Sequence, residues 1–488
     1  MKLVETIQLK KTKELSLLCH RCKNLYNTGL FYIKHFGKVM RDASHLESLP
    51  KDVQYYIKKA FKRKTEQWKE RFREWRAGKR KRVPSLPSWY LNWYDTKWLL
   101  KDIKEYKCLP SQVSQNVLKN LHISWKTFIT SLKDWKESPE KYEERPNPPY
   151  FLKKNGEYIA CFNHQHIPQK KQLERKRLQK KLYFPKKTHL DPVEVVTPID
   201  TLQQVRIVPK NDIYNLELVY NHINQYDLNL DKKKIIAIDI GVNNLACVVN
   251  NIGLQPFSIN GRPLKSVNQY YNKLISKKQS VLSNQLLSKS KKEYTSKIYK
   301  KNGKFTKNFI KFNNKQARIQ LQQTNSMKRL RRIRNNKIKD YMHKASRYIV
   351  NWCIEHHIGT IVIGKNPKWK REVNLGKRVN QSFVQIPFNM LIEKLQYKAE
   401  ISGINLKLIT EEYTSQTCFK CGIRDKKNRK YRGLYMCSHC KTKINADVNG
   451  AYNIMKKAFS NALSVEGIEG TQLYPILINL DTKSNYEV

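Results

Sequence analysis

Four cysteines and a few scattered acids are the residues of this chain whose types and spacing could do chemistry. Cys418-x-x-Cys421 and Cys437-x-x-Cys440, separated by fifteen residues, form two knuckles. Each can present two thiolates to one tetrahedral ion, which is the pattern of a zinc ribbon. A zinc closed off by four thiolates folds a segment and does no chemistry. The stretch between the knuckles, Gly422 to Met436, is basic and too short to hold a core, so the metal has to stabilise it. Hydrolysis of a phosphodiester by two divalent ions has another requirement: carboxylates that hold the ions roughly 4 Å apart, one activating water and one stabilising the leaving oxygen. Magnesium prefers such hard oxygen ligands and leaves positions open for phosphate and water. Three places can supply the acids: Asp239 at the end of a predicted strand, an acid near the end of the fourth or fifth strand, and Asp447 at a helix N-terminus. Singly, an Asp after a strand is ordinarily a turn or cap residue, and Asp447 fits a helix cap.

These acids are far apart in sequence and only a sheet can bring them together. Lys234–Asp239 (KIIAID) is the near-continuous apolar run of a buried strand. Leu245–Asn250 and a strand near Pro256–Ile259 follow, then a long basic helical region to about His356, broken by a loop at Lys301–Asn308. Leu330, Ile333, Tyr341, Ala345, Ile349 and Trp352 share one face of it. A fourth strand is expected at Thr360–Ile363, a helix at Phe388–Ser402, a fifth strand at Ile404–Ile409 and a helix from Asp447 to about Ala462. Three strands, a helix, a strand, a helix and a strand is the ribonuclease H-like arrangement. Residues 463–488 show no periodicity and read as a tail.

The front half reads as a strand and helix over residues 1–38, a helical block rich in Trp and Lys over 39–149, and short strands from 150 onward. Those strands are expected at Tyr158–Phe162, Tyr183–Phe184, Gln204–Val208 and Tyr214–Tyr220. A small β-barrel built from 1–38 and 150–225 and interrupted by the helical block would unite them. The aromatics of that block, among them Trp68, Phe72, Trp75 and Trp125, are read as core in preference to base-stacking platforms. Cys19-x-x-Cys22 has no second pair nearby and reads as core too.

With 95 Lys and Arg against 40 Asp and Glu, the chain carries a formal charge of +55 over 488 residues. Clusters at Lys58–Lys64, Lys79–Arg82, Lys170–Lys181 and Lys328–Arg334 spread this excess along the whole length. Solvated helix faces explain one such run but not the total, and phosphate backbones are the natural counter-charge. Lys79-Arg80-Lys81-Arg82 also fits a nuclear import patch. The first residues, MKLVETIQLKKTKEL, lack the apolar centre of a secretion signal, and no segment has the roughly 18 apolar residues of a membrane helix. The expectation is a multidomain protein that is not secreted and does not engage a membrane.

Three stretches resemble the transposon-encoded TnpB nucleases, relatives of Fanzor and of the type V CRISPR effectors. They are Ala237-Ile-Asp239-Ile-Gly241-Val-Asn243-Asn244, Tyr413-Thr-Ser-Gln-Thr-Cys418-x-x-Cys421, and Asn445-Ala-Asp447-Val-Asn449-Gly-Ala-x-Asn453-Ile. The likeness is close over about residues 230–460 and looser over Leu109–Gln115 and Gln204–Val208. It implies a multidomain α/β protein, with a WED-like β-barrel (1–38 and 150–225) holding a REC-like helical insert (39–149). An RNase H-like RuvC nuclease domain (226–415 and 445–462) would carry the zinc ribbon (416–444), followed by the tail (463–488).

The activity implied is that of an RNA-guided DNA endonuclease encoded by a mobile element. Its guide RNA (omega RNA) reads the target by base pairing, while the front half reads a short adjacent duplex motif and holds the heteroduplex by its shape. The implied cofactors are structural Zn²⁺ and two catalytic Mg²⁺, and the implied partners are guide RNA and double-stranded DNA in a monomeric ribonucleoprotein. A Fanzor-like protein would work in a nucleus, and a bacterial TnpB in the cytoplasm or nucleoid.

Asp239 and Asp447 match the family's first and third catalytic acids. The second departs from the pattern, because Ile361-Val-Ile363-Gly364-Lys365-Asn366 has glycine where many members have Glu. Fanzor-like members carry an inert residue there and a substitute Glu on the neighbouring strand, which points to Glu411, two residues before Tyr413, with Glu412 as the fallback. Adjacent strand residues face opposite ways, so only one of the two can reach the metals. Gln381 and Phe383 fit a lid over the cleft. The alternative is a nuclease-dead RNA-guided DNA-binding protein acting by occupancy, and retention of Asp239 and Asp447 favours the enzyme. A cut-and-paste transposase fits less well with a ribbon placed just before the last acid.

Overall fold

In the computed structural model, residues 2–86, 90–163, 181–195, 202–210, 212–221, 229–298, 324–365, 385–431, 433–461 and 468–480 are described. The chain divides into two units, Met1–His222 and Ile223–Val488.

In the first unit, β1 (Lys2–Lys10) leads to Thr12, whose side chain accepts from the Leu15 N–H and caps α1 (Lys13–Val39). The helices α2 (Lys51–Arg76), α3 (Trp93–Leu100), α4 (Lys104–Lys107) and α5 (Ser111–Glu137) follow. Then come β2 (Ala160–Asn163), β3 (Lys181–Leu182), β4 (Val193–Glu194), β5 (Leu202–Lys210) and β6 (Ile213–Asn221). Where a barrel was expected, the described strands make an open antiparallel sheet in the order β1-β6-β5-β2, with β3 and β4 paired only to each other. β1 and β2 are its edges, so the sheet does not close among the described residues. The expected strand at Tyr183–Phe184 falls just beyond β3. Leu25, Ile33 and Phe36 of α1, Val117 and Leu121 of α5, and Val205, Ile207 and Leu216 of the sheet share one core, and Cys19 and Cys22 lie fully buried within it. Trp68, Phe72 and Trp75 do not: they are half-buried and stand outside it, because the inward face of α2 ends at Lys64.

The second unit is built on a six-stranded sheet. Its elements are β7 (Asp231–Asp239), β8 (Asn244–Asn250), β9 (Phe257–Asn260), α6 (Arg262–Ile298), α7 (Asn325–Glu355), β10 (Ile358–Gly364), α8 (Phe388–Ile401) and β11 (Asn405–Ile409). Three short strands, β12 (Arg429–Tyr431), β13 (Leu434–Met436) and β14 (Lys443–Ile444), precede α9 (Ala446–Ala458) and β15 (Ile476–Ile478). The sheet order is β11-β10-β7-β8-β9-β15, with β7, β8 and β9 antiparallel and β10 and β11 parallel to β7. The expected tail is therefore corrected in part. Ile476–Ile478 pair in parallel with β9 and Leu480 is buried, a contribution too short to register as periodicity.

Strand alternation sorts the core of this sheet into two layers. Ile236, Ile238, Val248, Ile361 and Ile363 pack with α7 and α8 on one face. Ile235, Ala237, Cys247, Val249 and Val362 pack with Val448, Ala451, Tyr452 and Ile454 of α9 on the other. Burial on both faces is why KIIAID is continuously apolar. Among the described residues no helix is long and apolar enough to cross a membrane.

Between α7 and α8 lies a buried amine. Lys398 is 4% exposed, and its Nζ donates to the His343 carbonyl at 2.7 Å and to Ser346 Oγ at 2.8 Å. Burial, with Arg347 and Lys394 nearby, brings its ammonium down to about 7. An unfolded lysine titrates near about 10.4, so between these values the unfolded chain binds more protons and stability rises with pH. The urea midpoint of this unit is expected to be higher at pH 9 than at pH 7, and Lys398→Met should flatten that difference.

Candidate active site and metal centre

The alternation that buries Ala237 toward α9 also turns Asp239, two residues on, to the same face. Gly364 stands on that face as well, two residues after Val362 and at the end of the strand parallel to β7. Bare glycine at this point has a steric reason. A Cβ built on it would fall 2.5 Å from Glu411 Cγ, 2.6 Å from Glu411 Oε1 and 2.6 Å from Ile454 Cδ1. Glu411 thus occupies the space that a side chain at 364 would need. It does so from a turn and not from a pleat, since β11 ends at Ile409. Thr414 closes that turn by donating its N–H and its hydroxyl to the Glu411 carbonyl at 3.2 and 2.9 Å, and Tyr413 takes a positive φ of 66°. The choice between Glu411 and Glu412 therefore rests on the turn: Glu411 is directed inward and half-buried, and Glu412 is exposed.

Asp447 sits in the first turn of α9 but does not cap it. Asn445 does, its Oδ1 accepting from the N–H groups of Asp447 and Val448 at 2.9 and 3.3 Å. The carboxylate is left for other partners: Asn244 Nδ2 donates to Oδ2 at 2.8 Å, and Arg429 Nη2 lies 3.5 Å from Oδ1. One turn further along α9, a Cβ on Gly450 would come within 2.7 Å of Asp239 Oδ2. That close approach brings the helix and the β7 end together, so Gly450→Ala should push them apart. We expect a cost of about 1–3 kcal/mol in unfolding free energy and a larger proportional loss of any activity that needs both acids, measured by urea melts beside turnover.

Electrostatics ties the three acids into one cluster. Burial raises the Asp239 carboxyl well above its ordinary value, Asp447 and Glu411 raise it further, and Arg429 opposes them. Burial pushes Glu411 up to about 7. Three carboxylates facing one guanidinium are short of positive charge, which divalent cations would restore. The donor set is all hard oxygen, as magnesium requires. The acids are spaced more widely than a single-ion cage, for among the described residues only the four cysteines form a group of three or more ligands within 4.8 Å. A pair of ions roughly 4 Å apart needs such a spread.

The cysteine cluster fits zinc. Sγ of Cys418 and Cys440 are 3.6 Å apart, Sγ of Cys421 and Cys437 are 3.5 Å apart, and all four lie within 4.8 Å of one another. A tetrahedron with Zn–S of about 2.3 Å has edges of about 3.8 Å. The segment they close is fastened to α9. Asn449 Oδ1 accepts from the Phe419 N–H at 3.0 Å, and its Nδ2 donates to the Thr417 carbonyl at 2.8 Å. Asn453 Nδ2 donates to the carbonyls of Thr414 and Thr417 at 2.9 and 2.6 Å, and Phe419 stacks on Tyr452.

Sequence reasoning missed Arg429, Asn244 and Gly450 as parts of this site. Asn244 and Gly450 lie inside the resembling stretches without a role to mark them. Arg429 is one cation among many between the knuckles, and only the fold shows that it faces Asp447. Gln381 and Phe383, the expected lid, lie outside the described residues.

Comparison with known proteins adds two family models. "Cas12f1-like, TNB domain" matches residues 388–454, which hold Glu411, the four cysteines and Asp447. "Probable transposase" matches residues 227–311, which hold Asp239. A CRISPR-associated endodeoxyribonuclease Cas12f1 of Sulfoacidibacillus thermotolerans is 37% identical over 112 residues, 23% of this chain and 25% of the relative. A Cas12f2 endodeoxyribonuclease of a Micrarchaeota archaeon is 26% identical over 271 residues, 53% of this chain and 43% of the relative. A TnpB-like protein of Methanocaldococcus jannaschii is 23% identical over 159 residues, 30% of this chain and 55% of the relative. Over these segments the chain is similar to TnpB-like and Cas12f proteins. The chain spans from a quarter to about half of the length of these curated relatives. The matched segments carry every acid and every cysteine of the site, while Gly364 lies between them.

Proposed function

We propose that this TnpB-like chain is an RNA-guided DNA endonuclease encoded by a mobile element, with a RuvC-type site on a ribonuclease H-like sheet. It belongs, on this reading, to the subgroup whose second acid has moved off β10, here to the turn that follows the neighbouring strand β11. The observation that carries the proposal is the reach of Glu411 into the space over Gly364, beside Asp239 and Asp447 at the carboxyl ends of the parallel strands. The strand order β11-β10-β7-β8-β9, with its antiparallel first three strands, supports the ribonuclease H-like assignment. Asp239, Glu411 and Asp447 would hold two Mg²⁺, which when bound supply an activated water and charge stabilisation at the leaving oxygen. Asn244 and Arg429 each engage one oxygen of Asp447, fixing the rotation of its carboxylate and offsetting part of its charge. The excess of 55 positive charges would neutralise the phosphates of a guide RNA and of the DNA that it pairs with. Cys418, Cys421, Cys437 and Cys440 would hold a structural zinc, and the particle would be a monomeric ribonucleoprotein.

The test uses the protein purified with the RNA that it retains, incubated with a DNA library matched to that RNA, with and without Mg²⁺. Guided cuts are expected from wild type and none from Asp239→Ala, with equal guided binding by both. Parallel loss of binding in the variant would overturn the role given to Asp239. Wild type that binds its target tightly and never cuts would establish the occupancy reading instead.

A further inference from the structure

α2 begins as a core helix and ends as a surface one. Val53, Ile57, Ala60 and Lys64 are buried, and their stripe continues at helical spacing through Trp68, Phe72 and Trp75. None of these three rings joins the core of the first unit, and no described residue of α2 beyond Lys64 is buried. The rings stack on one another instead. Centroids of Trp68 and Phe72 are 5.3 Å apart at 28°, those of Phe72 and Trp75 are 5.3 Å apart at 46°, and the Arg76 guanidinium lies 5.2 Å from the Phe72 ring.

The surroundings of this ladder say what covers it. From Thr65 to Arg82 there are eight Lys and Arg and three Glu, a net of +5, and no Leu, Ile, Val or Met. A second copy presenting the same face would bring +5 against +5, which disfavours self-association. Basic interfacial helices also carry Trp and Phe, but binding there scales with buried apolar area, and here three rings and one alanine are all the apolar side chains of the stretch. What fits is an anionic partner with flat apolar faces, which is to say unpaired nucleotides. RNA presents such nucleotides in its loops and ends.

We propose that the C-terminal half of α2 is a stacking platform for an unpaired stretch of RNA, with bases on Trp68, Phe72 and Trp75 and phosphates on the flanking arginines. This rests on the reading that the chain holds an RNA. The test is fluorescence anisotropy of a short labelled oligouridylate with full-length protein freed of nucleic acid, across a salt series. Trp68→Ala/Phe72→Ala/Trp75→Ala is expected to weaken binding at least about tenfold at every salt concentration, leaving the slope of log affinity against log salt unchanged. Trp68→Phe/Trp75→Phe should keep most of the affinity. Arg71→Ala/Arg73→Ala, which alters no packing, should lower the slope. Equal binding by the triple variant would overturn the platform and leave the RNA reading standing, whereas wild type that binds no RNA would overturn both. Loss in the triple variant of a wild-type dimer, or of sedimentation with phosphatidylserine vesicles, would reassign the face to a second copy or to a membrane.

Discussion

Glu411→Gln should bind its guided target as tightly as wild type and cut it at least a hundredfold more slowly. Losing a residue that merely orients a metal ligand costs about 10–100-fold, and losing a ligand itself costs more. Gln keeps the volume that fills the space over Gly364, so the fold should not register the change. The steric contact with Gly364 sharpens the prediction. If a Glu at 364 is the ancestral arrangement of this site, then Gly364→Glu alone should not improve the enzyme. The new side chain would collide with Glu411 and with Ile454, and cutting should fall. The double variant Gly364→Glu/Glu411→Gly removes the Glu411 collision and places the acid at the end of β10, and part of the activity should come back. A double variant no better than either single one would mean that the turn after β11 does more than deliver a carboxylate.

The second large effect is expected from the zinc ribbon. Cys437 is fully buried and its N–H donates to the Thr442 carbonyl at 3.0 Å, so Cys437→Ser leaves a polar, weaker ligand at the centre of the segment. We expect loss of stoichiometric zinc, a lower melting temperature and near-complete loss of cutting. The last follows from the fastening of the ribbon to α9. Asn449 and Asn453 tie Thr414, Thr417 and Phe419 to the helix whose first turn carries Asp447, and Arg429 reaches Asp447 from β12. Chelation of wild type should therefore abolish cutting in a way that added zinc restores and added magnesium does not. Full activity and unchanged melting after zinc extraction would detach the ribbon from the site.

What the sequence made legible was what depends on near neighbours. Two C-x-x-C knuckles declare themselves because their spacing suits one tetrahedral ion, and the fold brings all four thiols within 4.8 Å of one another. Lys234–Asp239 reads as a buried strand because both its faces meet core. Distance in sequence hid the rest. β15 is three residues long, and its partner strand lies more than two hundred residues earlier, so nothing local announces it. Whether β1 and β2 close a barrel depends on edge partners that no single strand encodes. The route by which Glu411 comes inward depends on the Tyr413 backbone and the Thr414 hydrogen bonds, while alternation along a strand, the rule applied to the sequence, stops at Ile409. Trp68, Phe72 and Trp75 repeat like core residues, and only the extent of the actual core shows that they fall outside it.

The bond from Asn244 to Asp447 joins residues 203 positions apart. Contacts of that separation carry a loop-closure cost that local ones do not, so this bond is expected to form after the hairpin of β7 and β8. During synthesis the ribosome delivers Asp239 long before Asp447, so a nascent or truncated chain that stops short of α9 lacks an acid, its asparagine partner's bond and the helix that supports them. On the proposed function, a nuclease assembled this way would stay silent until α9 has been made, and fragments that stop before α9 would be harmless to the genome that encodes them.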